Sequence, residues 1–380
     1  MKISVLGAAT TKFGELWSRS PRDLVMEAVN EALDDSKEIS LQDIEAVYVG
    51  NMLSGTLGGQ DHLGAFFAEE LGLHVPAMKV EGACASGGLA IHAGVTAVSS
   101  GIYENVLVVG IEKMTDFKPE EVAEALMGAG SDPERDAGAS FPSLYALMAR
   151  VHMEKYGTTE EDMAAVAVKN HYHASLNSHA QFTFPVTMEK VMESPVVSSP
   201  LKLLDCSPIS DGAAAVILSS KIKKTGRNIF IVGSAVATDS LGLAERDDLT
   251  TIYAAKEAAR KAYKMSGVGP NEIDVAEVHD CFTIAEIIAM EDLGFFGKGE
   301  AARAVRLGQT RLGGRPVINT SGGLKACGHP VGATGVKQVV EIYRQLKGIA
   351  GKKQVKGAKL GLTHNVGGSG ATAVVNILKG

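Results

Sequence analysis

Aromatic residues are scarce, at 5% of 380 residues. There are four cysteines, Cys84, Cys206, Cys281 and Cys327, and no two form a C-x-x-C pair. That spacing excludes a zinc ribbon and implies no disulfide framework, so a reducing cytoplasm is the simpler setting. The opening Met1-Lys2-Ile3-Ser4-Val5-Leu6-Gly7 is too short and too soon broken for a signal peptide. No apolar run approaches the roughly 20 residues that span a bilayer, so no membrane segment is expected. No P-loop spacing is present. Gly368-x-Gly370-x-x-Ala373 leads into a strand pattern instead of a helix, which excludes a dinucleotide fingerprint. Positive charge is in deficit: 37 Lys and Arg against 44 Asp and Glu leave a net charge of −7. That argues against nucleic acid or an anionic membrane as a general partner, though a local basic patch can still hold a small anion.

What is abundant is glycine, with 43 residues, in a chain that is 45% hydrophobic and 21% charged. This suits a tightly packed α/β protein of two or three domain-sized units. Two halves read alike. Ile3-Ser4-Val5-Leu6-Gly7-Ala8 predicts a strand, and Ile229-Phe230-Ile231-Val232-Gly233-Ser234 repeats it. Ser20 with Pro21 and Asp23 caps a helix in the first half, and a similar helix opens at Leu249 in the second. Strands follow at Ile44–Val49 and Ile273–Val278, then glycine-rich turns, then closing strands at Val106–Gly110, Leu360–His364 and Ala373–Leu378. Strands alternating with helices, twice over, imply two α/β halves, residues 1–224 and 225–380. Residues 114–200 read as a helical insertion in the first half, with a capping box at Thr158-Thr159-Glu160-Glu161. A strand over Asp211–Leu218 and a charged linker from Lys221 to Asn228 close that half.

Four clusters carry chemistry. Cys84 sits in Gly82-Ala83-Cys84-Ala85-Ser86-Gly87-Gly88, ahead of a helix whose N-terminal partial charge would favour thiolate. On this segment alone, a nucleophile and a buried structural cysteine are both open. His279-Asp280-Cys281-Phe282 follows a buried-looking strand, where open α/β sheets put their ligands; a packed core pair is the alternative. His329 is wedged in Gly328-His329-Pro330, in a loop dense with glycine that serves a ligand. His364-Asn365-Val366-Gly367-Gly368 lies between strands, with backbone N–H groups to offer an oxyanion. His171, His173 and His179 lack companion ligands and read as an exposed helix end. Leu147 and Met148 fit a core stripe, with Met148 facing a substrate pocket as the minority reading.

Taken together, these clusters resemble the thiolase family over nearly the whole chain. Cys84 looks like its acyl-accepting nucleophile, Ser210-Asp211-Gly212-Ala213-Ala214 like its Asp-Gly-Ala-Ala strand, and Gly328-His329-Pro330 like its Gly-His-Pro loop. The resemblance implies duplicated βαβαβαββ halves in a five-layered α-β-α-β-α core, with the helical loop domain inserted in the first half. Many members have Asn-Glu-Ala-Phe and Cys-x-Gly-Gly where this chain has His279-Asp280-Cys281-Phe282 and Asn365-Val366-Gly367-Gly368. The His-Asp-Cys-Phe form is similar to the sterol-carrier-type and archaeal acetoacetyl-CoA thiolases, where the second catalytic cysteine moves into that motif. With no sterol-carrier domain before Gly380, the archaeal biosynthetic branch is the nearer likeness.

The resemblance implies reversible condensation of two acetyl-CoA to acetoacetyl-CoA and CoA in the mevalonate route to isoprenoids. Cys84 would carry the acetyl group, His329 would activate it, and Cys281 would be the second base. His279 and His329 would meet the enolate oxygen. Backbone N–H groups of Cys84 and of Gly367 or Gly368 would meet the tetrahedral intermediate. Ser321, Gly322 and Gly323 would lie along the pantetheine arm. Lys221, Lys223, Lys224 and Arg227 are the densest cations for the CoA phosphates, but read more simply as a solvated linker. No metal or prosthetic group is implied, since coenzyme A thioesters are the substrates. A homodimer or homotetramer is implied, as is a complex with a hydroxymethylglutaryl-CoA synthase and a small OB-fold protein. The alternatives are a sterol-carrier-type thiolase for longer or branched chains, and a non-catalytic acyl-CoA-binding scaffold subunit.

Overall fold

The computed structural model describes residues 2–223 and 226–380. The expected boundary between Lys224 and Thr225 lies outside the described residues. The first half runs β1 (Ile3–Thr10), α1 (Pro21–Ser36), β2 (Ala46–Gly50), α2 (Leu63–Glu70), β3 (Ala77–Val80), α3 (Ser86–Ser99) and β4 (Asn105–Glu112). The insertion follows, with α4 (Pro119–Met127), α5 (Asp132–Asp136), α6 (Phe141–Tyr156), α7 (Glu160–Ala174), α8 (Met188–Met192) and a hairpin of β5 (Val196–Ser198) and β6 (Leu201–Lys202). β7 (Gly212–Ser219) returns to the sheet. The second half runs β8 (Phe230–Thr238), α9 (Tyr253–Ser266), β9 (Val275–Glu277), α10 (Thr283–Asp292), α11 (Ala301–Arg306) and β10 (Val317–Ile318). It closes with α12 (Gly323–Cys327), α13 (Val331–Lys347), β11 (Leu360–Gly367) and β12 (Thr372–Lys379).

Among the described residues ten strands form one sheet, ordered β10-β9-β11-β12-β8-β1-β7-β4-β2-β3. Read outward from its centre, each half has the same order and the same senses: two antiparallel pairings, then two parallel ones. The halves meet edge to edge through Ile3↔Ile231 and Ser4↔Phe230. Helices α3 and α13 contact strands of both halves and each other, α1 and α2 cover the outer face of the first half, and α9 backed by α10 covers the second. The layers are therefore helix, sheet, helix, sheet, helix.

The matched glycines explain part of the repeat. A Cβ on Gly7 would stand 2.0 Å from the Ala32 carbonyl oxygen, and one on Gly233 would stand 2.6 Å from that of Ala262. Each lets its covering helix lie close on its strand. Local details shift from expectation. The helix expected from Leu249 begins at Tyr253. The capping box of α7 uses Thr159 and Asp162, because Thr159 is the residue with extended backbone. The glycine-rich stretch expected as a loop is two helices, α12 and α13, broken at Gly328-His329-Pro330.

Helix α13 is buried nearly all round, so its polar side chains need internal partners. Lys337 meets Ser321 Oγ at 2.5 Å and Glu277 at 3.5 Å, and Glu341 pairs with Lys353. Among the described residues no helix is long and apolar enough to cross a membrane.

Candidate active site

Cys84 is set by a strained turn. After β3 the chain makes one 3-10 turn, Ala83–Ala85, before α3. Ala83 has φ 53°, a left-handed conformation that costs a non-glycine residue about 1 kcal/mol or more. Ser86 holds the turn: its hydroxyl donates to the Ala83 carbonyl at 2.6 Å and accepts the Gly82 N–H at 3.0 Å. The thiol is not lowered toward thiolate, as its helix terminus suggested. Burial pushes Cys84 up to about 12, and the opposing N–H groups of Gly368 and of Cys84 itself do not outweigh it.

The sulfur lines a cavity of about 210 Å³ whose wall also contains His279, Cys281, His329 and Gly368. Met114, Leu126, Phe141, Tyr145, Ile209, Phe282 and Val331 supply apolar surface. The four side chains named from sequence as catalytic therefore share one chamber. His279 and Cys281 face it, whereas Asp280 between them accepts the N–H groups of Leu324 (2.6 Å) and Lys325 (3.3 Å) and the Asn170 amide (2.7 Å). Asp280 thus pins the segment to α12. On the other side, the Ser207 N–H donates to the Cys281 carbonyl at 2.9 Å.

The two histidines carry their protons differently. Thr334 Oγ donates its one hydrogen to the Pro330 carbonyl (3.0 Å), so at 2.7 Å from His329 Nδ1 it accepts. His329 therefore bears its proton on Nδ1 and offers a bare Nε2. Asn365 Nδ2 donates to His279 Nδ1 at 3.2 Å, so His279 bears its proton on Nε2. Among the described residues neither Nε2 has a hydrogen-bond partner, and the rings stand 5.1 Å apart, edge to face. Burial keeps both neutral: His329 falls to about 3, helped by Lys337, and His279 lies well below the usual range with His329 and His364 adding to the effect. The backbone of His329 is fixed by Ser210, whose hydroxyl accepts its N–H at 2.9 Å.

Of the two glycines expected at the oxyanion, Gly368 lines the cavity with φ +62°; Gly367 closes β11, and a Cβ there would stand 2.3 Å from the Gly82 carbonyl oxygen. Other residues singled out from the sequence lie elsewhere in the structure. Ser321, Gly322 and Gly323 do not line the cavity. Ser321 is buried and bonded to Glu277 and Lys337, and side chains at the two glycines would meet Ala174 and Asp280. Met148 packs in the core, while Leu147, expected beside it, is 54% exposed. Tyr145, three residues earlier than Met148, reaches the chamber from α6, as Phe141 and Pro142 do. His171 and His173 are buried, not an exposed helix end. His173 Nδ1 donates to the Asn319 carbonyl at 3.0 Å, and its Nε2 accepts the Leu312 N–H at 3.2 Å. In the expected solvated linker, Lys223 is buried on the Tyr343 hydroxyl and Lys221 pairs with Glu104. Asn365, Thr334, Ser210 and Tyr145 carried no assigned role from sequence. Asn365 and Ser210 sat inside quoted motifs, but their partners lie far along the chain.

Residues 3–222 match the family described as "Thiolase, N-terminal domain", and residues 235–380 match "Thiolase C-terminal domain-like". An acetyl-CoA acetyltransferase of Methanothermobacter thermautotrophicus is 50% identical, covering 99% of this chain and 98% of its own. Human sterol carrier protein 2 is 36% identical over 98% of this chain and 71% of its own length. A solved structure described as "Ltp2-ChsH2(DUF35) aldolase" superposes with a TM-score of 0.81 at 24% identity, covering 99% of this chain and 97% of its own. The chain belongs to the thiolase family and is an acyltransferase.

Proposed function

We propose that this enzyme is an acetyl-CoA C-acetyltransferase that condenses two acetyl-CoA through an acetyl-Cys84 intermediate. The observation that carries the reading is the meeting of Cys84, Cys281, His279 and His329 in one cavity. The bare Nε2 of His329 takes the Cys84 proton as sulfur attacks the thioester carbon. The tetrahedral oxyanion accepts from the N–H groups of Cys84 and Gly368, donors that in a dry site are worth roughly 3 kcal/mol each. The C–S bond to coenzyme A breaks, and the leaving sulfur takes the proton of Cys281. Cys281 thiolate then removes a methyl proton from the second acetyl-CoA. The enolate oxygen meets the His279 Nε2–H and the now protonated His329. Carbon attacks acetyl-Cys84, acetoacetyl-CoA leaves, and Cys84 regains its proton from His329.

Condensation of two acetyl thioesters is uphill, which supports a consuming partner such as a hydroxymethylglutaryl-CoA synthase in a cytoplasmic mevalonate route. The DUF35 named in the structural neighbour supports a small OB-fold companion. The edge strand β3 supports pairing of two copies into a dimer, or a tetramer of such pairs. A second reading, thiolysis of longer or branched 3-ketoacyl-CoA, draws on the apolar wall of Leu126, Phe141 and Ile209.

The test is acetyl labelling by acetyl-CoA, read by peptide mass spectrometry beside the condensation rate. Cys84→Ala loses both. Cys281→Ala still acetylates Cys84 and loses condensation; normal condensation by that variant removes Cys281 as the second base.

A further inference from the structure

Tyr145 is the largest buried polar side chain facing the chamber, and the proposed reaction gives it no task. Its ring is 1% exposed and packs on Phe282, centroids 4.7 Å apart, directly beside Cys281. Its hydroxyl donates to the Gly368 carbonyl at 3.2 Å. The Cys281 thiol lines the same chamber, and Tyr145 favours its thiolate. One phenol thus stands between the second cysteine and the turn that carries the oxyanion N–H. That turn is held from its far side by Arg246, whose Nη1 donates to the Ser369 carbonyl at 2.8 Å.

A phenol has one hydrogen to give and lone pairs to receive. With Cys281 as a thiol, Tyr145 donates to Gly368. Once Cys281 loses its proton, the Tyr145 hydrogen can turn from the Gly368 carbonyl to the sulfur anion. A hydrogen bond to an anion is roughly twice as strong as a neutral one. Burial pushes the Cys281 thiol well above its ordinary range, and Tyr145 pulls the other way.

We propose that Tyr145 is a positioning residue that holds the Gly368 turn in the resting enzyme and turns its hydroxyl to the Cys281 sulfur when that thiol gives up its proton. This rests on the proposed roles of Cys281 and Gly368. Because no proton leaves Tyr145, the step adds no reactant: one hydrogen bond breaks and a stronger one forms.

Tyr145→Phe keeps the ring on Phe282 and removes only the hydroxyl. The first readout needs no substrate: the pH profile of iodoacetamide alkylation at Cys281 and at Cys84, followed by peptide mass spectrometry. In Tyr145→Phe the Cys281 profile moves to higher pH, with alkylation at pH 8 slowed about tenfold, while Cys84 changes by less than about threefold. The second readout is turnover. Condensation falls about tenfold or more, and Cys84 acetylation falls much less. Site-specific ring-fluorinated tyrosine at 145 keeps the fold and donates more strongly, so it moves the Cys281 profile to lower pH. Superimposable Cys281 profiles in the wild type and Tyr145→Phe overturn the proposal. So does an equal loss of acetylation and condensation. Should the wild type neither condense nor thiolyse, the proposed function fails, and the alkylation profiles still decide Tyr145.

Discussion

The side-chain amide of Asn365 donates to His279 Nδ1 at 3.2 Å, and its second N–H goes to the Cys84 carbonyl at 3.0 Å. Its oxygen accepts the Gly88 N–H at 3.0 Å. One residue on β11 therefore fixes the histidine tautomer and ties it to the Cys84 turn. A site that is to stabilise an enolate needs a donor already aimed, and Asn365 gives His279 that donor.

Asn365→Asp keeps the bond from Gly88 and offers His279 an acceptor in place of a donor. The imidazole then carries its proton on Nδ1 and loses the Nε2–H. Condensation falls by about 10²-fold, as when one oxyanion donor is removed, and Cys84 acetylation falls by less. Rates of the two steps measured on one preparation check this; a variant that condenses normally contradicts the tautomer.

Thr334→Val removes the acceptor of the His329 Nδ1–H. The bare Nε2 that receives the Cys84 proton is then no longer selected. Acetylation of Cys84 slows about tenfold, and Thr334→Ser restores it. Single-turnover labelling distinguishes the two variants, and equal rates in both would mean the hydroxyl does not orient the ring.

The free enzyme holds Cys84 and His329 as a neutral pair, because burial pushes the thiol up to about 12 and the imidazole down to about 3. Alkylation of Cys84 therefore climbs with pH through 9 without a plateau. A rate already flat between about pH 5 and 8 would mean a thiolate–imidazolium pair instead.

His173, His329 and His364 each fall to about 3, burial being the first cause in each. An unfolded histidine titrates near 6.5. Between those values the unfolded chain binds more protons, so stability is complete above pH 6.5 and declines as pH falls toward 3. Each histidine removes up to about 2 kcal/mol between pH 7 and 5. Burial also raises Glu112 and Asp280 to about 7, which gains stability over the same interval and offsets part of this loss. The urea midpoint is lower at pH 5 than at pH 7, and a midpoint that rises contradicts the neutral, buried assignment.

The four side chains that meet in the chamber were legible because each sits in a short local motif. Cys84 lies among small residues, His329 lies between glycine and proline, and His279 and Cys281 share one turn. The repeat was legible because Gly7 and Gly233 mark the same helix contact in both halves. What escaped depends on partners distant in sequence. Thr334 looked like one more residue of a glycine-rich loop until its hydroxyl met His329. His173 looked exposed because the Asn319 carbonyl and Leu312 N–H that satisfy it come from far along the chain. Ser321 resembled a ligand loop because nothing local shows that Glu277 and Lys337 claim its hydroxyl. The Cys84 thiol was misjudged because burial, a property of the whole fold, outweighs one helix terminus.

The most direct measurement is thiolysis of acetoacetyl-CoA by free CoA, followed at the enolate absorbance, for the wild type and Cys84→Ala side by side. Rapid loss of absorbance is expected with the wild type and none above background with the variant. Equal rates in the two proteins, or no loss with either, would contradict a short-chain thiolase that works through Cys84.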